Sequence, residues 1–227
     1  MPKKNKYVDF VSDEHFLKCV KYVCEGYGRK AQLERNGLDI FKAVFDITNH
    51  KTSYDDWTLS EQVRQSDKTV NNKIGEFHQM LLGGVDGWED LHVGDETRVD
   101  LKNKSNTIFV ELKNKHNTVT FGKLRDTFDV LKKIVDKYPK AIAYYAYIIP
   151  KVPGSGEKVW MTSQRQPHPR ILEAWGKRIY EIVAGDSKAL EKTWMALPKA
   201  IADVIGNGNS INSEDLAKLT RLFQSAF

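Results

Sequence analysis

Two carboxylates and an amine stand close together near the middle of this chain. Asp100 is followed, after ten intervening residues, by Glu111-Leu112-Lys113. Carboxylate oxygens that converge from neighbouring strands suit Mg²⁺, which takes a few hard oxygen ligands and keeps several of its waters. An ammonium beside them can orient or help deprotonate a water, or offset negative charge growing on a reacting group. Those parts are what hydrolysis of a phosphodiester requires: an activated water, charge neutralisation and help for the leaving oxygen. An acid-x-Lys tripeptide alone is weak, because many solvated strands contain one, so its weight depends on the elements that carry it.

The hydrophobic pattern supplies those elements. Thr97–Leu101 and Thr107–Lys113 read as strands, joined by the turn-rich residues 102–106. Along the second strand Phe109, Glu111 and Lys113 point one way, while Ile108, Val110 and Leu112 point the other. Apolar neighbours (Val99, Leu101, Val110, Leu112) anchor both acids at the edge of a core. A helix is expected over Gly122–Tyr138, with Leu124, Phe128, Leu131 and Val135 as its stripe and Pro139 as its stop. The apolar run Ala141–Ile149 reads as a buried strand and Lys158–Thr162 as a further one. Helices are expected before this region, over 10–26, 37–48 and 57–82, the last with Val63, Val70, Ile74, Phe77 and Leu81 on one face and ending at Gly83-Gly84. Further helices are expected after it, over Pro169–Ala184, 187–205 and 213–225, with Trp175, Tyr180 and Trp194 on their apolar faces. The expectation is one α/β domain over 1–227: helical to 84, a small mixed sheet flanked by helices over 85–165, and C-terminal helices from 166.

Charge sharpens the reading. The chain has 227 residues and a net charge of +5. Residues 102–140 hold ten Lys/Arg against four Asp/Glu, an excess of +6, so the rest sums to −1. A basic excess confined to one segment suits a polyanion; a solvated, Lys-rich helix face would give the same count. Hydrophobic content of 41% fits a folded domain rather than disorder. No apolar run approaches a membrane span and no signal-peptide core follows the basic N-terminus, so a cytoplasmic protein is expected. Cys19 and Cys24 are the only cysteines and suit neither a disulfide nor a zinc site. His15, His50, His78, His92 and His168 are scattered, and no glycine-rich phosphate loop appears, so no metal cluster or nucleotide cofactor is expected.

Asp100 and Glu111-Leu112-Lys113, followed by a helix and an apolar strand, resemble the PD-(D/E)xK nuclease superfamily, with Val99 in place of the proline. Superfamily members carry a further acid on a preceding helix, and Glu76 looks like that residue. Longer segments (Phe10–Asp13, Arg64–Lys68, Gly75–Gln79, Glu111–Thr118 and Ala174–Gly176) resemble a small family of type II restriction endonucleases that cut GGNCC. The resemblance implies double-stranded DNA as substrate, Mg²⁺ on Asp100, Glu111 and the Leu112 carbonyl, a homodimer, and 5′-phosphate and 3′-hydroxyl ends.

A palindromic site is most simply read by a two-fold dimer. Lys115, His116, Asn117 and Thr118 leave the catalytic strand directly and are the first choice for DNA contacts. Arg64, Gln65 and Lys68 form a second cluster, and Arg165, in a polar loop, a third. Two rivals stay open: another nuclease on this scaffold, such as a junction resolvase or repair endonuclease, and a non-catalytic DNA-binding module. Two carboxylates facing phosphate argue against the second, because binding alone gains nothing from them.

Overall fold

A computed structural model describes residues 5–27, 38–91, 95–206, 208 and 211–227. Met1–Lys4, His92 and two positions of the expected 206–209 break, Asn207 and Asn209, lie outside the described residues.

The centre of the fold is a continuous apolar strand. β4 (Ile142–Ile149) buries Ala143, Tyr144, Tyr145, Ala146 and Ile148, so both its faces are covered. Such a strand needs a partner on each edge. On one side lies β3 (Ile108–Lys115), parallel to it, with Glu111 opposite Tyr145 and Lys113 opposite Tyr147. The parallel connection requires a crossover, made by α4 (Phe121–Lys137). β2 (Leu101–Asn103) and β1 (Trp88–Asp90) extend the sheet antiparallel beyond β3. On the other side of β4 lie β6 (Ile171–Trp175), parallel to it, and β5 (Gly156–Val159), antiparallel to β6. The result is a six-stranded mixed sheet in the order β1-β2-β3-β4-β6-β5.

Each face of the sheet carries its own core. α4 covers one, packing Phe128, Leu131 and Val135 with Phe109, Tyr145 and Trp160. The other is covered by α1 (Asp13–Tyr27), α3 (Tyr54–Gly83), α5 (Lys177–Ala184), α6 (Ala189–Ile205) and α7 (Ser213–Ala226), which bring Phe16, Phe77, Leu81, Ile179 and Phe223 against Val110, Leu112 and Tyr144. α2 (Ile40–His50) packs on α3 alone to any large extent. Among the described residues no helix is long and apolar enough to cross a membrane.

Three expectations need correcting. Residues 171–175 form β6, not the start of a helix, so Trp175 lies on the sheet. Without β6 the far edge of β4 would have no ladder; Ile171 pairs with Ala143 and Ala174 with Ala146, and both Ile171 and Ala174 are fully buried. The helix starts only after Gly176, whose φ of +64° suits glycine and whose missing Cβ leaves room for the Ser155 hydroxyl. Consequently the sheet does not end at residue 165. Second, the strand after the Pro150 loop is Gly156–Val159 rather than 158–162, and the short β1 had no sequence signal. Third, Val63 is 70% exposed although it continues the stripe of Val70, Phe77 and Leu81, because the first half of α3 buries a different face, that of Trp57, Glu61 and Gln65. Gly83 and Gly84 do end α3, but not through a left-handed cap: Gly84 has φ −85°, and a Cβ on Gly83 would meet Asp90 at 2.5 Å.

His78 ties these layers together. Its Nδ1 lies 2.7 Å from the Tyr180 hydroxyl, and burial pushes its pKa down to about 4. The unfolded chain takes up this proton near pH 6.5 and the folded chain only near 4, so the neutral ring's contribution is complete above pH 6.5 and lost as pH falls through that window. A loss on the order of 3 kcal/mol between pH 6.5 and 4 is expected. Urea melts of wild type and His78→Gln across this range check it; the variant should show a flatter dependence.

Candidate active site

Asp100 is where the edge of the sheet is made. Its backbone N–H donates to Val110 O at 3.0 Å, and its carbonyl accepts from Leu91 N at 3.0 Å. Val99 joins the α4-side core while Leu101 joins the opposite one, so the faces do not alternate simply through Asp100. The kink sends the Asp100 carboxylate along the sheet rather than above or below it. There Oδ2 accepts the Leu112 backbone N–H at 2.6 Å, a side chain standing where a strand partner would be.

That bond draws three oxygens together. Lys113 Nζ lies 2.7 Å from Glu111 Oε1, 3.4 Å from Asp100 Oδ2 and 3.1 Å from the Leu112 carbonyl. One ammonium therefore occupies the point on which all three converge. Burial and the Asp100 charge raise the Glu111 carboxyl above its ordinary range, against Lys113 and Lys123. For Lys113, burial works to lower the ammonium, but Asp100 and Glu111 outweigh it and hold it above its usual value. Two carboxylates and a carbonyl are hard oxygen donors that fit Mg²⁺.

The other expected residues are placed as follows. Glu76 is exposed on α3 and accepts a hydrogen bond from the Tyr22 hydroxyl. The preceding residue packs on β3, since a Cβ on Gly75 would sit 3.8 Å from Asn114 Cβ. Among the described residues no three His, Cys, Asp or Glu side chains are grouped to hold a metal, so Glu76 does not join Asp100 and Glu111 in one cluster. Lys115, the last residue of β3, and Asn117 and Thr118 just beyond it are exposed. The Thr118 hydroxyl donates to Lys115 O at 3.0 Å, and the buried His116 Nδ1 has no hydrogen-bond partner. Arg64 is forked onto Glu61, Gln65 is buried and bonded to the same carboxylate, and Lys68 is exposed. Arg165 grips Asp129 of α4 through two 2.6 Å bonds.

The face bearing Glu111 continues across the sheet through residues the sequence reading passed over. Tyr145 lies opposite Glu111 on β4, and Glu173 lies opposite Tyr145 on β6. Tyr147 donates to Glu173 Oε1 at 3.0 Å. The Tyr145 hydroxyl is buried with no hydrogen-bond partner, and burial, Glu111 and Glu173 push its pKa up to about 12. Its ring stacks on Trp160 at 4.5 Å. The available signal was Tyr145 and Tyr147 at period 2, in a strand that carries Tyr144 on its other face.

Known proteins share this chain's sequence over nearly its whole length. It is 31% identical to the type II restriction enzyme Sau96I of Staphylococcus aureus, over 98% of this chain and 90% of that protein. It is 33% identical to the type II restriction enzyme Eco47II of Escherichia coli, over 87% of this chain and 88% of that one. The class is thereby defined: a type II restriction endonuclease, a site-specific deoxyribonuclease. Within that class the chain belongs to the Eco47II restriction endonuclease family, whose sequence profile matches residues 8–206.

Replacing Lys113 leaves two half-buried carboxylates facing one another without a cation. Lys113→Met is expected to lose about 1–3 kcal/mol of stability at pH 8. Less should be lost at pH 5, because a carboxyl held above its unfolded pKa takes up a proton more readily in the folded chain and so favours folding at low pH. Thermal melts at the two pH values measure the difference.

Proposed function

We propose that this endonuclease hydrolyses both strands of duplex DNA as a homodimer at a short palindromic site of the GGNCC type. The products would carry 5′-phosphate and 3′-hydroxyl ends. The observation that carries the catalytic part is the convergence of Asp100, Glu111 and the Leu112 carbonyl on a single cationic point. These three groups would hold Mg²⁺. When bound, the ion neutralises charge on the scissile phosphate and makes a water acidic enough to attack near neutral pH.

The remaining chemistry belongs to the chain. Asp100, fixed by the Leu112 N–H, and Glu111, fixed on the central parallel pair β3–β4, set the geometry before substrate arrives. Lys113, released from both carboxylates, orients the attacking water and offsets charge on the phosphate. Glu76 supports the site from α3, which packs on the end of β3. Lys115, His116, Asn117 and Thr118 grip DNA from the loop that leaves the catalytic strand, and the basic residues of α4 extend the field. The order α3–β1–β2–β3–α4–β4, with Asp100 immediately before β2 and Glu111 on β3, supports a PD-(D/E)xK core, and we take the whole chain as one endonuclease domain. Arg64, Gln65 and Lys68 are not retained as DNA contacts: their stretch is acidic, Arg64 is neutralised by Glu61 and Gln65 is buried. Arg165 would reach DNA only by leaving Asp129.

Asp100→Ala and Glu111→Ala are each expected to lower the cleavage rate at least about 1,000-fold while leaving a folded protein that still binds DNA. Digestion of a sequenced plasmid with Mg²⁺, with run-off sequencing of the ends, reads both activity and site. Cleavage at wild-type rate by either variant would sink the assignment.

A further inference from the structure

Tyr145 carries a buried donor that the fold leaves without an acceptor. The residue is 3% exposed, and among the described residues its hydroxyl finds no hydrogen-bond partner. Its ring is fixed in place. It stacks on Trp160 with centroids 4.5 Å apart and planes 11° from parallel, and it lies against Tyr147 at 6.2 Å. A buried hydroxyl left unpaired costs about 1–3 kcal/mol. Such a group beside Glu111 calls for an acceptor that comes to it in another state of the site.

Two carboxylates flank it. Glu111 on β3 and Glu173 on β6 stand in register with Tyr145, one strand away on either side and on the same face of the sheet. Glu173 is already satisfied: Oε1 accepts the Tyr147 hydroxyl at 3.0 Å, and Oε2 lies 3.3 Å from Lys158 Nζ. Glu111 is engaged through Oε1, by Lys113 at 2.7 Å. Among the described residues no donor is placed on its Oε2. The carboxylate with an oxygen to spare is therefore the one proposed to hold the ion. Burial, Glu111 and Glu173 push the Tyr145 pKa up to about 12, so the hydroxyl keeps its proton and is available to donate.

We propose that Tyr145 is a positioning residue: once Lys113 leaves Glu111, the Tyr145 hydroxyl donates to Glu111 Oε2 and holds the carboxylate with its other oxygen free for the cation. This deepens the reading of Asp100, Glu111 and the Leu112 carbonyl as a Mg²⁺ site and rests on it. The move answers two shortages at once. Without Lys113 the half-buried Glu111 carboxylate needs a new donor, and the hydroxyl needs an acceptor. Because Trp160 and Tyr147 fix the ring, the carboxylate is the group that adjusts. A hydrogen-bond partner of a metal-bound carboxylate orients it, and losing that partner costs about 10- to 100-fold in metal affinity.

Calorimetric titration of the full-length chain with MnCl₂, without DNA, tests this role. Tyr145→Phe should bind Mn²⁺ about 10- to 100-fold more weakly than wild type. Its melting temperature without metal should equal or exceed that of wild type, because the change removes only an unpaired buried hydroxyl. Tyr147→Phe loses a bond to Glu173 rather than to Glu111, and should bind Mn²⁺ as wild type does. Unchanged affinity in Tyr145→Phe, with binding lost in Glu111→Ala, overturns the positioning role and leaves the metal site standing. An equal loss in both tyrosine variants marks a general loosening of β4 and also overturns it. Equal binding by wild type and Glu111→Ala, or none by either, overturns the metal site and the role together.

Discussion

A single hydrogen bond, from the Leu112 backbone N–H to Asp100 Oδ2, organises the end of the sheet where Asp100, Glu111 and Lys113 meet. An edge N–H on a β-strand must find an acceptor, and here the acceptor is a carboxylate instead of the next strand's carbonyl. Because the ladder gives way to a side chain at that point, an acidic group is carried beside the strand that bears Glu111 and Lys113. The same bond leaves the Leu112 carbonyl on the side where Lys113 sits. Strand pairing, acid placement and cation site therefore share one cause. The cost of two carboxylates close together in a half-buried setting is met by the lysine, which is held in the charged form by the groups it neutralises.

Much of this was legible in the sequence because it follows from period-2 alternation. Glu111 and Lys113 had to share a face, the basic excess had to begin near them, and the apolar run after Pro139 had to be a central strand. What alternation could not show is the kink at Asp100, since Val99 and Leu101 read as ordinary neighbours in a regular strand. Nor could it show β6: Ile171–Trp175 carries apolar residues at spacings compatible with either period, and only the unfilled edge of β4 decides between them. Trp175-Gly176 was visible as a motif, but its role as the pivot from strand to helix depends on Ser155, far away along the chain. Tyr145 and Glu173 were hidden by the same long-range pairing.

The division of labour across the sheet follows from charge and burial. The α4 side carries the acids, the lysine and the basic segment. The opposite side is given over to the larger helical core, where the partly buried His78 meets the hydroxyl of the buried Tyr180. α2 and the first half of α3, residues 38–68, form a third region with six Asp/Glu against four Lys/Arg, acidic where the side that bears Glu111 and Lys113 is basic. Arg64 and Lys68, attractive as DNA ligands in a linear reading, belong to this third region. A cluster of donors in sequence is thus a poor guide to partner when its neighbours in space carry the opposite sign.

The proposed metal site consists of three oxygens that now share Lys113. Anomalous diffraction from crystals soaked with Mn²⁺ locates a divalent ion directly. The prediction is a peak bonded to Asp100, Glu111 and the Leu112 carbonyl, with the Lys113 ammonium displaced from the carboxylates. A peak elsewhere, or carboxylates still closed on Lys113 at saturating metal, would contradict it.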